Sequence, residues 1–186
     1  MSISAGYKED PELIDRKFDV LLFGCIPFFL QSSLKNADWE SVWFYEQEDT
    51  PDNLYVCMKV RKLLSNSEAY DFIYNVGWTY HDIHYGANVH LLPRGVTSLV
   101  AGSLDAEGND FLDHVECQEN FDVETSIITW IIPKDEIGNP MKSMAITNIL
   151  ASTHVRFPLD SGRVKMDLFK DLPWNAISSK DYIIQY

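Results

Sequence analysis

In Leu54-Tyr55-Val56-Cys57-Met58-Lys59-Val60, the residues Leu54, Val56, Met58 and Val60 recur at a period of two. That spacing puts all four on one face of an extended strand and on no single face of a helix. Further strand-like runs follow on either side, at residues 39–45, 70–80, 83–92, 95–104, 111–117 and 125–132, recognised by aromatic and β-branched side chains or by a continuous apolar stretch. Turn-forming clusters separate them: Asp49-Thr50-Pro51-Asp52-Asn53, His81-Asp82 and residues 105–110. No long apolar stripe at the helical period competes with this pattern. The sequence therefore predicts an all-β, antiparallel two-sheet β-sandwich of jelly-roll-like kind, with a calycin-like β-barrel as the alternative way to close the same strands.

Further strands are expected over residues 18–30, bent at Gly24 and Pro27, over 144–153, and over 181–186, which would close a sheet. Single helical turns are expected at 134–137 and 165–172. Residues 1–17, polar and carrying Asp10-Pro11, read as an arm, and 18–186 as one domain; the chain's 186 residues suit a single sandwich. Hydrophobic residues at 46% supply a sizeable core.

Charge excludes one class of partner. With 28 acidic against 15 basic residues the net charge is -13, and a phosphate backbone would be repelled. The longest apolar run, residues 20–30, is too short to span a bilayer. The first residues, MSISAGYKEDPEL, lack a basic stretch followed by an apolar one, so the chain reads as intracellular or as a mature form without its leader. Cys25, Cys57 and Cys117 stand far apart and define no disulfide framework; Cys25 and Cys57 lie in apolar runs as small hydrophobes.

The sharpest local pattern for chemistry is Asp105 to Glu116. Counted as a twelve-residue calcium loop, it places Asp105, Glu107, Asn109, Asp113 and Glu116 at oxygen-bearing positions, although Asp110 stands where such loops need glycine. A plain hairpin turn accounts for the same residues. His81 and His84 flank a turn but complete no zinc spacing, and no GxSxG elbow, P-loop or GxGxxG is present. Among the aromatics, Trp78, Tyr80 and Tyr85 are the candidates for stacking on a ligand, because they flank a hairpin end; the others are expected in the core.

Two stretches carry a family likeness. One runs from Asp10-Pro11-Glu12-Leu13-Ile14-Asp15 through Trp43-Phe44-Tyr45-Glu46 to residues 52–60. The other joins Ile131-Ile132-Pro133-Lys134 and Gly138-Asn139-Pro140 to residues 146–153 and the closing residues 181–186. Together they resemble a group of archaeal, and some bacterial, cell-surface β-sandwich domains similar to DOMON-like and family 9 carbohydrate-binding modules. The resemblance implies an extracellular or cell-surface, non-enzymatic module that binds a carbohydrate or other small ligand; a cytoplasmic location is the alternative. Self-assembly through exposed strand edges, with the arm or tail as donor, is equally expected. The competing reading is a small β-barrel isomerase or cyclase acting on an apolar substrate.

Overall fold

The computed structural model describes residues 9–15, 21–22, 36–65, 71–92, 95–106, 111–158, 165–171 and 178–186. The chain forms strands β1 (Leu13–Ile14), β2 (Leu21–Leu22), β3 (Trp39–Tyr45), β4 (Asn53–Val60), β5 (Asp71–Tyr80), β6 (Ile83–Leu92) and β7 (Gly95–Leu104). They continue as β8 (Phe111–Glu116), β9 (Gln118–Asp122), β10 (Ile127–Pro133), β11 (Ala145–Pro158), β12 (Lys165–Asp171), β13 (Ser178–Ser179) and β14 (Tyr182–Ile183). One sheet has the order β13-β1-β3-β4-β10-β9; the other runs β2-β12-β11-β5-β6-β7-β8, with β14 added on β11. The sheets are antiparallel, pack on each other as a β-sandwich and do not close into a barrel. No helix among the described residues is long and apolar enough to cross a membrane.

The core fills the space between the sheets. Leu54, Val56, Met58 and Val60 all lie in it, as their spacing requires, with Ile128, Trp130 and Ile132 of the neighbouring strand. The larger sheet contributes Phe72, Tyr74, Val76, Trp78 and Tyr80 from β5, and Tyr85, Ala87, Val89 and Leu91 from β6. The Trp130 indole N–H crosses this layer and donates to the Asn88 carbonyl at 3.2 Å, tying β6 to the opposite sheet. Turn chemistry sets the β5–β6 register: His81 and Asp82 both have positive φ, 49° and 62°, the pair that a two-residue hairpin of matching twist demands.

Two expectations are corrected and one is borne out. The polar arm is in part a strand: Leu13 is buried, β1 pairs with β3 and β13, and the Glu12 carboxylate accepts the Phe44 N–H at 3.0 Å. Residues 1–8 and 16–17 of that arm, and most of 18–30, lie outside the described residues. Residues 165–171 are not a helical turn but strand β12, because antiparallel pairing with β11 and β2 satisfies their backbone. The carboxyl-terminal residues form the strand expected to close a sheet, pairing within their own chain. Tyr182 and Ile183 pair with β11, Ile184 is buried, and the Tyr182 ring stacks on Phe44 with centroids 5.7 Å apart.

A buried ion pair holds this tail. Pro133 and Gly138 bracket a 3-10 turn over Lys134–Ile137, and Gly138 ends it at φ 79°, a left-handed conformation that glycine adopts freely. The turn buries Lys134 against the fully buried Glu46 side chain, and the Lys134 ammonium also donates to the Tyr186 carbonyl at 2.9 Å. Glu46 in turn accepts the Tyr182 hydroxyl at 3.0 Å and the Gln185 N–H at 2.6 Å. The Pro-Lys and Gly-x-Pro residues of the family likeness thus build a structural corner.

Both described cysteines are free. Cys57 is buried on the outer face of the smaller sheet beside Trp43 and Ile127, within 3.4 Å of the Thr129 hydroxyl, and burial pushes its thiol up to about 12. Alkylation requires thiolate, so at pH 8 native Cys57 should react on the order of a thousandfold more slowly than an ordinary thiol. Peptide-resolved mass spectrometry after maleimide treatment is expected to find it unmodified until denaturant is added; rapid native labelling would contradict its placement.

Candidate functional site

The outward face of the larger sheet is where the alternation breaks from ordinary surface composition. Along β5 the outward positions are Ile73, Asn75, Gly77 and Thr79; opposite them on β6 stand His90, Asn88, Gly86 and His84. On β11 the register shift between Thr147 and Leu150, with Asn148 at φ 50°, brings Leu150 opposite Gly77, Ser152 opposite Asn75 and His154 opposite Ile73. A bulge of this kind re-aims side chains without ending the ladder. The result is a groove of about 630 Å³ across β11, β5, β6 and β7, with Leu104 and Phe111 on its far side.

Its floor is bare backbone at the Gly77–Gly86 pair. A Cβ built on Gly77 would meet nothing nearer than the Tyr85 carbonyl oxygen at 3.7 Å, so glycine there leaves open space rather than relieving a clash. The far wall has a different origin. Strand β8 passes so close to Gly102 that any Cβ would collide with the Asp113 backbone, and only glycine permits that approach. Leu104 leans over Gly86 from this side and Leu150, half-exposed, stands on the other.

Polar groups cluster at two places along the groove. At one, Asn88 Nδ2 donates to Asn75 Oδ1 at 2.6 Å, Asn75 Nδ2 donates to Ser152 Oγ at 3.3 Å, and Ser152 Oγ lies 3.4 Å from His154 Nε2. At the other, Asn148 Nδ2 donates to Thr79 Oγ1 at 3.4 Å, and Thr79 Oγ1 lies 3.1 Å from His84 Nδ1. A hydroxyl has one proton and two lone pairs, so the Thr79 hydroxyl can accept from Asn148 and still either donate to His84 Nδ1 or accept from it, according to the imidazole tautomer. Amides, hydroxyls and imidazoles offer both donors and acceptors. Among the described residues lining the groove, none is Asp, Glu, Lys or Arg.

Of the aromatics nominated from sequence, Trp78 and Tyr85 are among the residues lining the groove and Tyr80 is not. Trp78, Tyr80 and Tyr85 are 2%, 3% and 4% exposed, because even positions of β5 and odd positions of β6 face the core. Their rings support the groove from beneath: Trp78 stacks on Tyr85 at 6.3 Å, Tyr80 hydrogen-bonds to Met144 at 3.2 Å, and burial raises the Tyr85 hydroxyl. Phe111, not nominated from sequence, also lines the groove, tilted against His114 with ring centroids 5.9 Å apart. In the acidic segment, residues 111–116 form β8 and pair with β7, so the latter half of the twelve-residue register is extended strand rather than a wound loop. Asp105 is half-buried and Asp113 exposed; Glu107 and Asn109 lie outside the described residues, and Glu116 is placed only as part of β8. No group of three metal-ligating side chains occurs among the described residues.

What sequence reasoning missed was legible in one signal. Asn75, Gly77 and Thr79, with His84, Gly86, Asn88 and His90, are polar and glycine positions that alternate with apolar and aromatic ones along residues 72–92, again at a period of two. No protein-family model matches the chain, and comparison with curated proteins and with solved structures likewise finds no match.

Proposed function

We propose that this protein is a non-enzymatic binding module whose ligand is a neutral, sugar-like molecule held in the groove on the outer face of the larger sheet. One observation carries the reading. A chain with a net charge of -13 lines this groove, among the described residues, with no Asp, Glu, Lys or Arg, and pairs amide, hydroxyl and imidazole groups with apolar walls. Polyhydroxylated rings need that combination: hydroxyls for the amides and imidazoles, C–H faces for Leu150, Leu104 and Phe111. The acidic surroundings disfavour anionic ligands.

The resemblance to surface modules supports an extracellular or cell-surface setting. A barrel isomerase would need an open interior, and here Trp39, Trp78 and Trp130 fill the space between the sheets.

An array of neutral and acidic glycans, followed by calorimetry on the strongest signal, tests the proposal. Neutral glycans should bind, and Asn88→Ala should weaken them roughly 10-fold by removing one partner of the amide pair. Binding confined to acidic glycans, binding indifferent to Asn88→Ala, or no binding at all would each overturn it.

A further inference from the structure

We infer that the groove takes an oligosaccharide rather than a single sugar, lying along β5 and β6 with one ring over the Gly77–Gly86 pair and further units reaching the polar clusters on either side. This rests on the binding function proposed above and adds the ligand's length and direction. The cross-strand pairs Thr79–His84, Gly77–Gly86 and Asn75–Asn88 are successive rungs on one face. Each rung advances about 6.6–6.8 Å, so the two polar clusters lie about 13 Å apart with a bare rung between them. That advance is comparable to one sugar unit of an extended chain.

A single ring on the glycine rung meets Leu150 and Leu104 with its apolar faces but cannot reach Thr79–His84 and Asn75–Asn88 together. Ring hydroxyls placed at one cluster leave the other still facing water. A ligand that satisfies both clusters must be a chain, and the groove's 630 Å³ is far more than one hexose ring fills. The direction follows from the walls. Leu150 on β11 and Leu104 on β7 close the groove across the strands, whereas the rungs run open along them.

Calorimetry on the full chain tests this, using gluco-, galacto-, manno- and xylo-oligosaccharides of one to six units and following whichever backbone binds. Affinity should rise roughly 10-fold or more from one unit to three, as hydrogen bonds at the second cluster form, and then level off. In Thr79→Val, which keeps the side-chain shape but removes the hydroxyl linking Asn148 to His84, the gain from the last unit should disappear. A loss confined to one step of the length series is not what misfolding would produce. A monosaccharide binding as tightly as the trisaccharide, or a length gain untouched by Thr79→Val, would overturn the inference while leaving the binding function standing. Failure of every neutral sugar at every length would overturn both.

Discussion

Gly77→Val is expected to leave the protein folded, with a melting temperature at or slightly above that of the parent, and to abolish neutral-sugar binding. Adding a side chain to a strand glycine usually fails because the space is taken. Here a Cβ finds its nearest neighbour at 3.7 Å, and its direction is into the groove. Valine also suits a strand better than glycine, by up to about 1 kcal/mol, so the fold has nothing to lose at this position. The ligand does: a branched side chain rising from the floor between Leu150 and Leu104 occupies the slot proposed for a sugar ring. The neighbouring Gly86 is a poorer choice, since a Cβ there meets a Leu104 methyl at 3.0 Å and must displace it. Thermal melting and calorimetry on the same sample decide the matter. Unchanged binding would show that the ligand does not lie over Gly77.

Lys134→Met is expected to cause the largest loss of stability of any single exchange considered. Lys134 and Glu46 form an ion pair that is almost wholly withdrawn from water, and removing one partner strands the other. Such a loss costs about 3–5 kcal/mol, which for a domain of this size lowers the melting temperature by roughly 10 °C. Glu46 would retain the Tyr182 hydroxyl and the Gln185 N–H, but those bonds cannot neutralise it. The tail should loosen first, and limited proteolysis should cut near residues 180–186 in the variant and not in the parent. Lys134→Met combined with Glu46→Gln should recover part of the loss, because no buried charge is then left alone. A variant as stable as the parent would mean that the tail is held by Tyr182 and Ile184 packing alone.

The architecture was readable because burial on one face imprints a period of two, as in the spacing of Leu54, Val56, Met58 and Val60 and along much of 83–92, while 127–132 is buried throughout and reads as a continuous apolar, β-branched run. Residues 165–171 were misread because strand identity there comes from pairing with β11, information that no local window contains. The arm was read as free for the same reason: a two-residue strand such as β1 has no period to detect, and only its partners define it. For the site, aromatic content near a hairpin end pointed at Trp78, Tyr80 and Tyr85, but parity rather than position in the hairpin decides which face a ring occupies. Their outward neighbours Asn75, Gly77 and Thr79 attract little notice singly. They become a site only when β6 and β11 set Asn88, Gly86 and Ser152 beside them.

The side-chain amide signals of Asn75 and Asn88 report on the proposed site at first hand, because each sits in the groove and they bond to each other at 2.6 Å. A nuclear magnetic resonance titration of isotope-labelled protein with the best-binding neutral oligosaccharide should move both amide signals in a saturable way, together with the Gly77 and Gly86 backbone amides. Saturable shifts confined to the β9 edge or to residues 105–106, with the Asn75 and Asn88 amides unmoved, would contradict the account and place the ligand elsewhere.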